Sequence, residues 1–155
     1  MPFTVGQNVN LKFLGIFDTV GSFGIGGNNI DWGYTFEIPE AVERTVHYIA
    51  AHERRSKFDL QSIRRDGYSP VSGRLKEVIY PGMHADVGGG YAQGDQGRSK
   101  ELSRIPLNHM LKEAIKAGVP FFSQAEMKIS KPETLKLFEV GRSLQRFYDL
   151  YCSQV

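Results

Sequence analysis

Two apolar runs in this chain end in side chains that could do chemistry. In the first, Leu11-Lys12-Phe13-Leu14-Gly15-Ile16-Phe17 leads directly into Asp18. In the second, Val78-Ile79-Tyr80 is followed by Pro81-Gly82-Met83, then His84, Asp86 and the triplet Gly88-Gly89-Gly90. Glycine loses more backbone entropy on folding than any other residue and packs nothing. Three in a row imply tight turns or a close approach of backbone to another group. A histidine can take the proton of a hydroxyl nucleophile and return it to a leaving group. A buried carboxylate fixes its tautomer and stabilises the imidazolium. Asp18 and His84, each at the tip of an expected buried strand, are two of the three members of a hydrolytic triad.

The order of the two residues narrows the chemistry. In the α/β-hydrolase fold, serine, acid and histidine appear in that sequence on loops that follow parallel strands. Asp18 and His84 fit the second and third places. The chain contains no Gly-x-Ser-x-Gly turn, and Ser22, between Gly21 and Phe23, follows the acid. His84-x-Asp86, joined by Asp18, could also serve as a set of metal ligands, although no further cluster supports it. The loop Gly21-Ser22-Phe23-Gly24-Ile25-Gly26-Gly27 lacks the spacing of a dinucleotide loop, and there is no Gly-x-x-x-x-Gly-Lys phosphate loop. No cofactor and no resident metal are expected. His47 and His109 read as packing histidines, and His52 as a surface residue among Glu53, Arg54 and Arg55.

The elements that must position these groups follow from apolar spacing. A strand is expected over Asn10 to Phe17. It is apolar on both faces, as in the middle of a parallel sheet, and so needs neighbours on both edges. A helix is expected from Pro39 to Ala51, because Val42, Val46, Ile49 and Ala50 recur at helical spacing. A second strand is expected over Leu75 to Tyr80. Asp95 to Glu101 reads as a loop. A helix follows over Pro106 to Ala117, ended by Gly118 and Pro120, with a last helix over Pro132 to Tyr151. Strands alternating with helices define an α/β class. The basic stretch Arg54 to Lys76 reads as a solvated face able to meet anionic lipid headgroups.

Composition sets the outer bounds. A chain of 155 residues is one domain with room for a real core. The net charge of +2 is too small to make nucleic acid a partner. The single cysteine, Cys152, allows no internal disulfide. No apolar run approaches the roughly 20 residues of a membrane span, and no signal-peptide pattern opens the chain.

Three strings carry a resemblance to a known family. They are Phe17-Asp18-Thr19-Val20-Gly21, the Glu53-Arg54-Arg55 stretch with Phe58, and Pro81-Gly82-Met83-His84-Ala85-Asp86-Val87-Gly88-Gly89-Gly90-Tyr91. With Leu102-Ser103-Arg104-Ile105-Pro106-Leu107 leading into Met110, they resemble the type VI secretion lipase effectors over about Leu11 to Ala117. The resemblance implies the C-terminal part of an α/β-hydrolase domain, with a mostly parallel sheet, that hydrolyses phospholipid esters at a membrane surface. Asp18 is then the triad acid and His84 the general base, with Asp86, Gly88, Gly89 and Gly90 shaping the loop that presents His84. It also implies a nucleophile-bearing N-terminal half, an immunity protein or secretion spike protein as partner, and a location in the bacterial cytoplasm before signal-independent export. Two departures stand out. The family's Gly-x-Ser-x-Gly turn is missing, and His52 stands where an aspartate is expected before Glu53-Arg54-Arg55. The chain is therefore expected to be a fragment, a split-gene product or a remnant, inactive alone. A strand edge left uncovered by missing neighbours favours a homodimer. A metal-dependent hydrolase built on His84, Asp86 and Asp18, and a non-catalytic binding module, are the other two readings.

Overall fold

The computed structural model describes residues 10–21, 37–55, 58, 60–63, 73–90, 101–122, 124–130, 140–142 and 144–146. Three parallel strands, β1 (Leu14–Phe17), β2 (Thr45–Ala50) and β3 (Leu75–Tyr80), form a sheet in the order β1-β2-β3. Among the described residues the sheet is followed by helices α1 (His84–Gly88), α2 (Glu101–Lys116) and α3 (Gln124–Ser130), with further helical residues at 142 and 144–146. The class is α/β, as the alternation of apolar runs suggests.

The central strand is where the helix was expected. The spacing of Val42, Val46, Ile49 and Ala50 fits a helix face. Yet Thr45–Ala50 is a strand with all six residues buried. A short run buried on both faces has no clear periodicity of its own to separate helix from strand. Here Thr45, Val46, Tyr48 and Ile49 are strand formers, and the run pairs on both edges. Leu14 lies opposite Thr45 and Phe17 opposite Tyr48, while Thr45 lies opposite Leu75 and Ala50 opposite Tyr80. Residues 37–44 form a turn instead, with Val42 N–H donating to the Pro39 carbonyl.

The expected central strand sits at an edge. Among the described residues β1 pairs only with β2, and Leu11 adds a single bridge to Val42. Its second edge is unpaired there.

Side chains alternate across the sheet. Val46, Tyr48 and Ala50 of β2 join Tyr80, Val87, Ile105 and Met110 in one core, so α1 and α2 cover this face. Tyr48 packs edge-on to Phe17 and at 4.6 Å from Tyr80. Burial pushes the Tyr48 phenol up to about 12, so its ring is neutral. Gly15 faces α2 at close range: a Cβ there would lie 2.7 Å from the Met110 sulfur. Glu113 of α2 is buried and ties the helix to the sheet through Arg44 at 2.7 Å and Lys76 at 2.8 Å. Burial raises its carboxyl, but hydrogen bonds from Lys76 and Arg44 outweigh that and hold it below its ordinary value.

The helix α2 starts at Glu101, five residues ahead of the proline taken as its first turn. Pro106 lies inside it and is buried with Ile105. The buried face is Ile105, Pro106, Met110, Leu111, Glu113 and Ala114, whereas Leu107 and Ile115 are exposed. The expected stop holds: Gly118 has φ 84°, its N–H reaches the Ile115 carbonyl, and Val119 N–H reaches that of Ala114. The last expected helix lies mostly outside the described residues, as do the Gly24 to Gly27 loop and Asp95. No described helix is long and apolar enough to cross a membrane.

Candidate active site

Asp18, His52 and His84 all follow strands at the carboxyl end of the parallel sheet, where open α/β sheets place their ligand sites. Asp18 is the first residue after β1 and is 3% exposed. The chain leaves the ladder there. Asp18 N–H still donates to the Tyr48 carbonyl, but the residue has φ 40°, in the left-handed region. That conformation costs a non-glycine residue about 1 kcal/mol, and aspartate tolerates it better than most. The turn puts the carboxylate over the end of β2. Oδ1 accepts the Ala50 N–H at 2.8 Å, and Oδ2 lies 2.8 Å from Nδ1 of His84.

His84 comes from the far side of the sheet. It is not on a loop but is the first residue of α1. Three contacts set up this short helix. Asp86 Oδ2 accepts the Met83 N–H at 2.9 Å, capping the first turn. Gly82 has φ 119°, and a Cβ there would lie 2.5 Å from the Asp86 Cβ. The helix ends at Gly88, followed by Gly89 at φ 79° and Gly90 at φ 121°. Asp86 is thus engaged with backbone. Among the described residues no group of three or more His, Cys, Asp or Glu side chains could hold a metal ion.

The segment after β2 forms the other wall. Glu53 Oε2 accepts the His84 N–H at 3.2 Å, and its Oε1 accepts the Arg54 and Arg55 amides. Arg55 binds the same carboxylate through Nε at 2.8 Å and Nη2 at 2.7 Å. The Arg55 hydrogen bonds are the main reason that this carboxyl lies well below the usual carboxylate range. The Arg55 guanidinium lies 3.7 Å from the Phe58 ring centre, and Phe58 packs edge-on to the His84 imidazole at 5.0 Å. His52 is exposed yet not idle. Its Nδ1 accepts the Gly82 N–H, and its own N–H donates to the Gly82 carbonyl, joining the two loops.

The result is an imidazole oriented at one nitrogen by a buried carboxylate. Pairing with Asp18 places the ring proton on Nδ1. The side chain is 30% exposed, and among the described residues nothing engages Nε2. Such a group can accept a proton from a hydroxyl presented to Nε2.

The structure brings Asp18 and His84 together across β2 and keeps Asp86 and the glycines in the frame of α1. Glu53, Arg55 and Phe58 have no role in the sequence reading, where the Glu53-x-Arg55 spacing is their signal. The basic stretch is not wholly solvated. In it, Arg74 reaches the Val42 and Pro39 carbonyls, and Lys76 binds Glu113. Arg64 and Arg65 lie outside the described residues. His109 bonds Tyr80 Oη at 2.7 Å.

Residues 3–113 match the family model described as T6SS, phospholipase effector Tle1-like, catalytic domain. An uncharacterized protein of Saccharomyces cerevisiae is 45% identical over 67 residues, 41% of this chain and 10% of that protein. A crystal structure of an uncharacterized protein from Pseudomonas aeruginosa superposes with a TM-score of 0.76 at 34% identity, over 92% of this chain and 22% of that one. The chain therefore spans about a tenth and about a fifth of the lengths of these two relatives.

Proposed function

The chain belongs to the type VI secretion Tle1-like phospholipase effector family, and from that premise we propose that it supplies the acid and base of a phospholipid-ester hydrolase. The observation that carries this reading is the 2.8 Å contact between Asp18 Oδ2 and His84 Nδ1, with no described residue at the other nitrogen. In the proposed reaction Nε2 takes the proton of a serine hydroxyl as its oxygen attacks the ester carbonyl carbon. Asp18 stabilises the imidazolium, which then protonates the departing glycerol oxygen of the lipid. In deacylation Nε2 takes a proton from water as the water oxygen attacks the acyl carbon, and the imidazolium then gives that proton to the departing serine oxygen, releasing the fatty acid.

The serine comes from a segment with a Gly-x-Ser-x-Gly turn, a pattern these 155 residues do not contain. The edge of β1 that no described strand pairs is the place for it, because a further parallel strand there would end beside Asp18. In this reading the domain is the later part of an α/β-hydrolase fold. Its substrate is a phospholipid at a membrane surface, and an immunity protein or a spike protein of the secretion machinery is its protein partner. A second copy at the β1 edge would compete with the nucleophile-bearing segment.

The test is hydrolysis of phospholipid vesicles by the chain alone and with a family segment carrying the Gly-x-Ser-x-Gly turn. The chain alone should be inactive, and the combination active and dependent on His84. A well-folded combination without turnover would favour a non-catalytic module. Turnover by the chain alone would overturn the division of the triad.

A further inference from the structure

A second histidine lies under the site, and the proton transfers described above do not use it. His47, in the middle of β2, is fully buried. Its register partner on β3 is Glu77, and the side chains meet at 2.9 Å between Nδ1 and Oε2. We propose that His47 is a positioning residue for the acid of the site. It anchors the Thr19 amide and so holds Asp18 in the left-handed turn that aims its carboxylate at His84. This rests on the reading of Asp18 and His84 as an acid–base pair and assigns the device that keeps that pair in register.

The hydrogen bonds run in one direction. The Thr19 N–H donates to His47 Nε2 at 3.1 Å, so that nitrogen carries no proton. The ring proton is on Nδ1 and goes to Glu77. Glu77 in turn accepts the Ser62 hydroxyl at 2.8 Å and the Ile63 N–H at 3.0 Å. With the Ser62 hydroxyl and the Ile63 amide both donating to it, Glu77 is the acceptor for the Nδ1 proton, which fixes the His47 tautomer. Burying an imidazole and a carboxylate inside a sheet is costly unless both are fully bonded. Here the bonding reaches the acid turn.

The turn needs such a partner. Asp18 N–H takes the last ladder carbonyl, Tyr48 O. At φ 40° the chain then swings off the ladder. The next amide, Thr19 N–H, meets the His47 ring on the sheet face instead of a strand carbonyl. The Thr19 carbonyl accepts the Gln61 N–H at 2.8 Å, and Val20 bridges Leu60. Residues 60–63 therefore hold the acid turn directly, and through Ser62 and Ile63 they also hold the Glu77–His47 arm. A carboxylate whose backbone is pinned on both sides cannot drift from a 2.8 Å contact.

The experiment reads the His84 tautomer in the full chain by 15N NMR with labelled histidine, the His84 signals being assigned by their loss in His84→Asn. In the unmodified chain neutral His84 should be protonated at Nδ1, and Asp18→Asn should abolish that preference. His47→Gln keeps an acceptor near the Nε2 position and should retain it. His47→Asn keeps the arm to Glu77 but cannot reach Thr19. It should shift His84 several-fold toward the Nε2–H form, as should His47→Phe where it folds. Equal His84 tautomers in His47→Gln and His47→Asn, both unchanged or both lost, would overturn the inference. Absence of the Nδ1–H form in the unmodified chain would instead break the acid–base pair itself and the inference with it.

Discussion

The molecule holds two histidine–carboxylate pairs of nearly equal length, 2.8 Å for His84–Asp18 and 2.9 Å for His47–Glu77. They differ in what happens at the second nitrogen. His47 is fully buried, and its Nε2 is filled by a backbone amide. His84 stands at the carboxyl end of the sheet with its side chain 30% exposed, and no described residue engages its Nε2. The same kind of pair is thus closed at both nitrogens inside the sheet and, in the proposed reading, is a base at its end. A carboxylate beside a histidine does not by itself mark a catalytic site. The two pairs meet at consecutive residues, Asp18 and Thr19, where the proposed strut adjoins the proposed acid.

The largest expected difference between them is in turnover. In a complex reconstituted with the nucleophile-bearing segment, H84A and D18N should each lower kcat by about 10⁴-fold, D18N by favouring the wrong tautomer. His47→Gln should leave most of kcat in place. Equal losses at the two histidines would erase the distinction.

Stability should rank them in the opposite order. H47F takes from Glu77 its ring N–H donor, leaving Ser62 and Ile63 among the described residues, and leaves the Thr19 amide without the His47 acceptor, and should cost about 3 kcal/mol in urea unfolding. H84A removes a partly exposed ring and should cost about 1 kcal/mol or less.

Acid sensitivity sharpens the role of Glu53, which holds the His84 amide from outside. Its folded-state carboxyl is depressed, so its stabilisation is present above the ordinary value of 4.5 and is lost as pH falls below it. E53Q should be less stable than the unmodified chain at pH 7, and the gap should close steadily as the pH is lowered from about 5. A gap that stays constant down to pH 3 would show that Glu53 titrates normally. The smallest effect is expected at Phe58. F58A removes the edge-on contact to His84 and the Arg55 stack and should cost about 1 kcal/mol in stability.

The sequence made some of this legible and hid the rest for physical reasons. Strand β3 was visible at its observed bounds, since Gly73 and Pro81 punctuate it. Asp18 and His84 stood out because each closes an apolar run. The central strand was missed. Its six residues are buried on both faces, which removes the alternation that marks a strand, and Val42, Val46 and Ile49 happen to fit a helix. That error also hid His47. On a helix it reads as a packing residue, whereas on β2 it falls opposite Glu77, 30 residues away. Hidden with it was the place of β2 between Asp18 and His84, where its Ala50 amide donates to the second carboxylate oxygen. Contacts such as Glu53 to the His84 amide depend on how two loops meet, and no local pattern records that.

In the proposed reaction His84, oriented by Asp18, is the base of phospholipid-ester hydrolysis. Chemical rescue tests it most directly. In the reconstituted complex, turnover of phospholipid vesicles by H84A should be near background and should rise with added imidazole, which fills the vacated ring and accepts the serine proton. H47F should show no such rise. Wild-type turnover by H84A without imidazole would contradict the account.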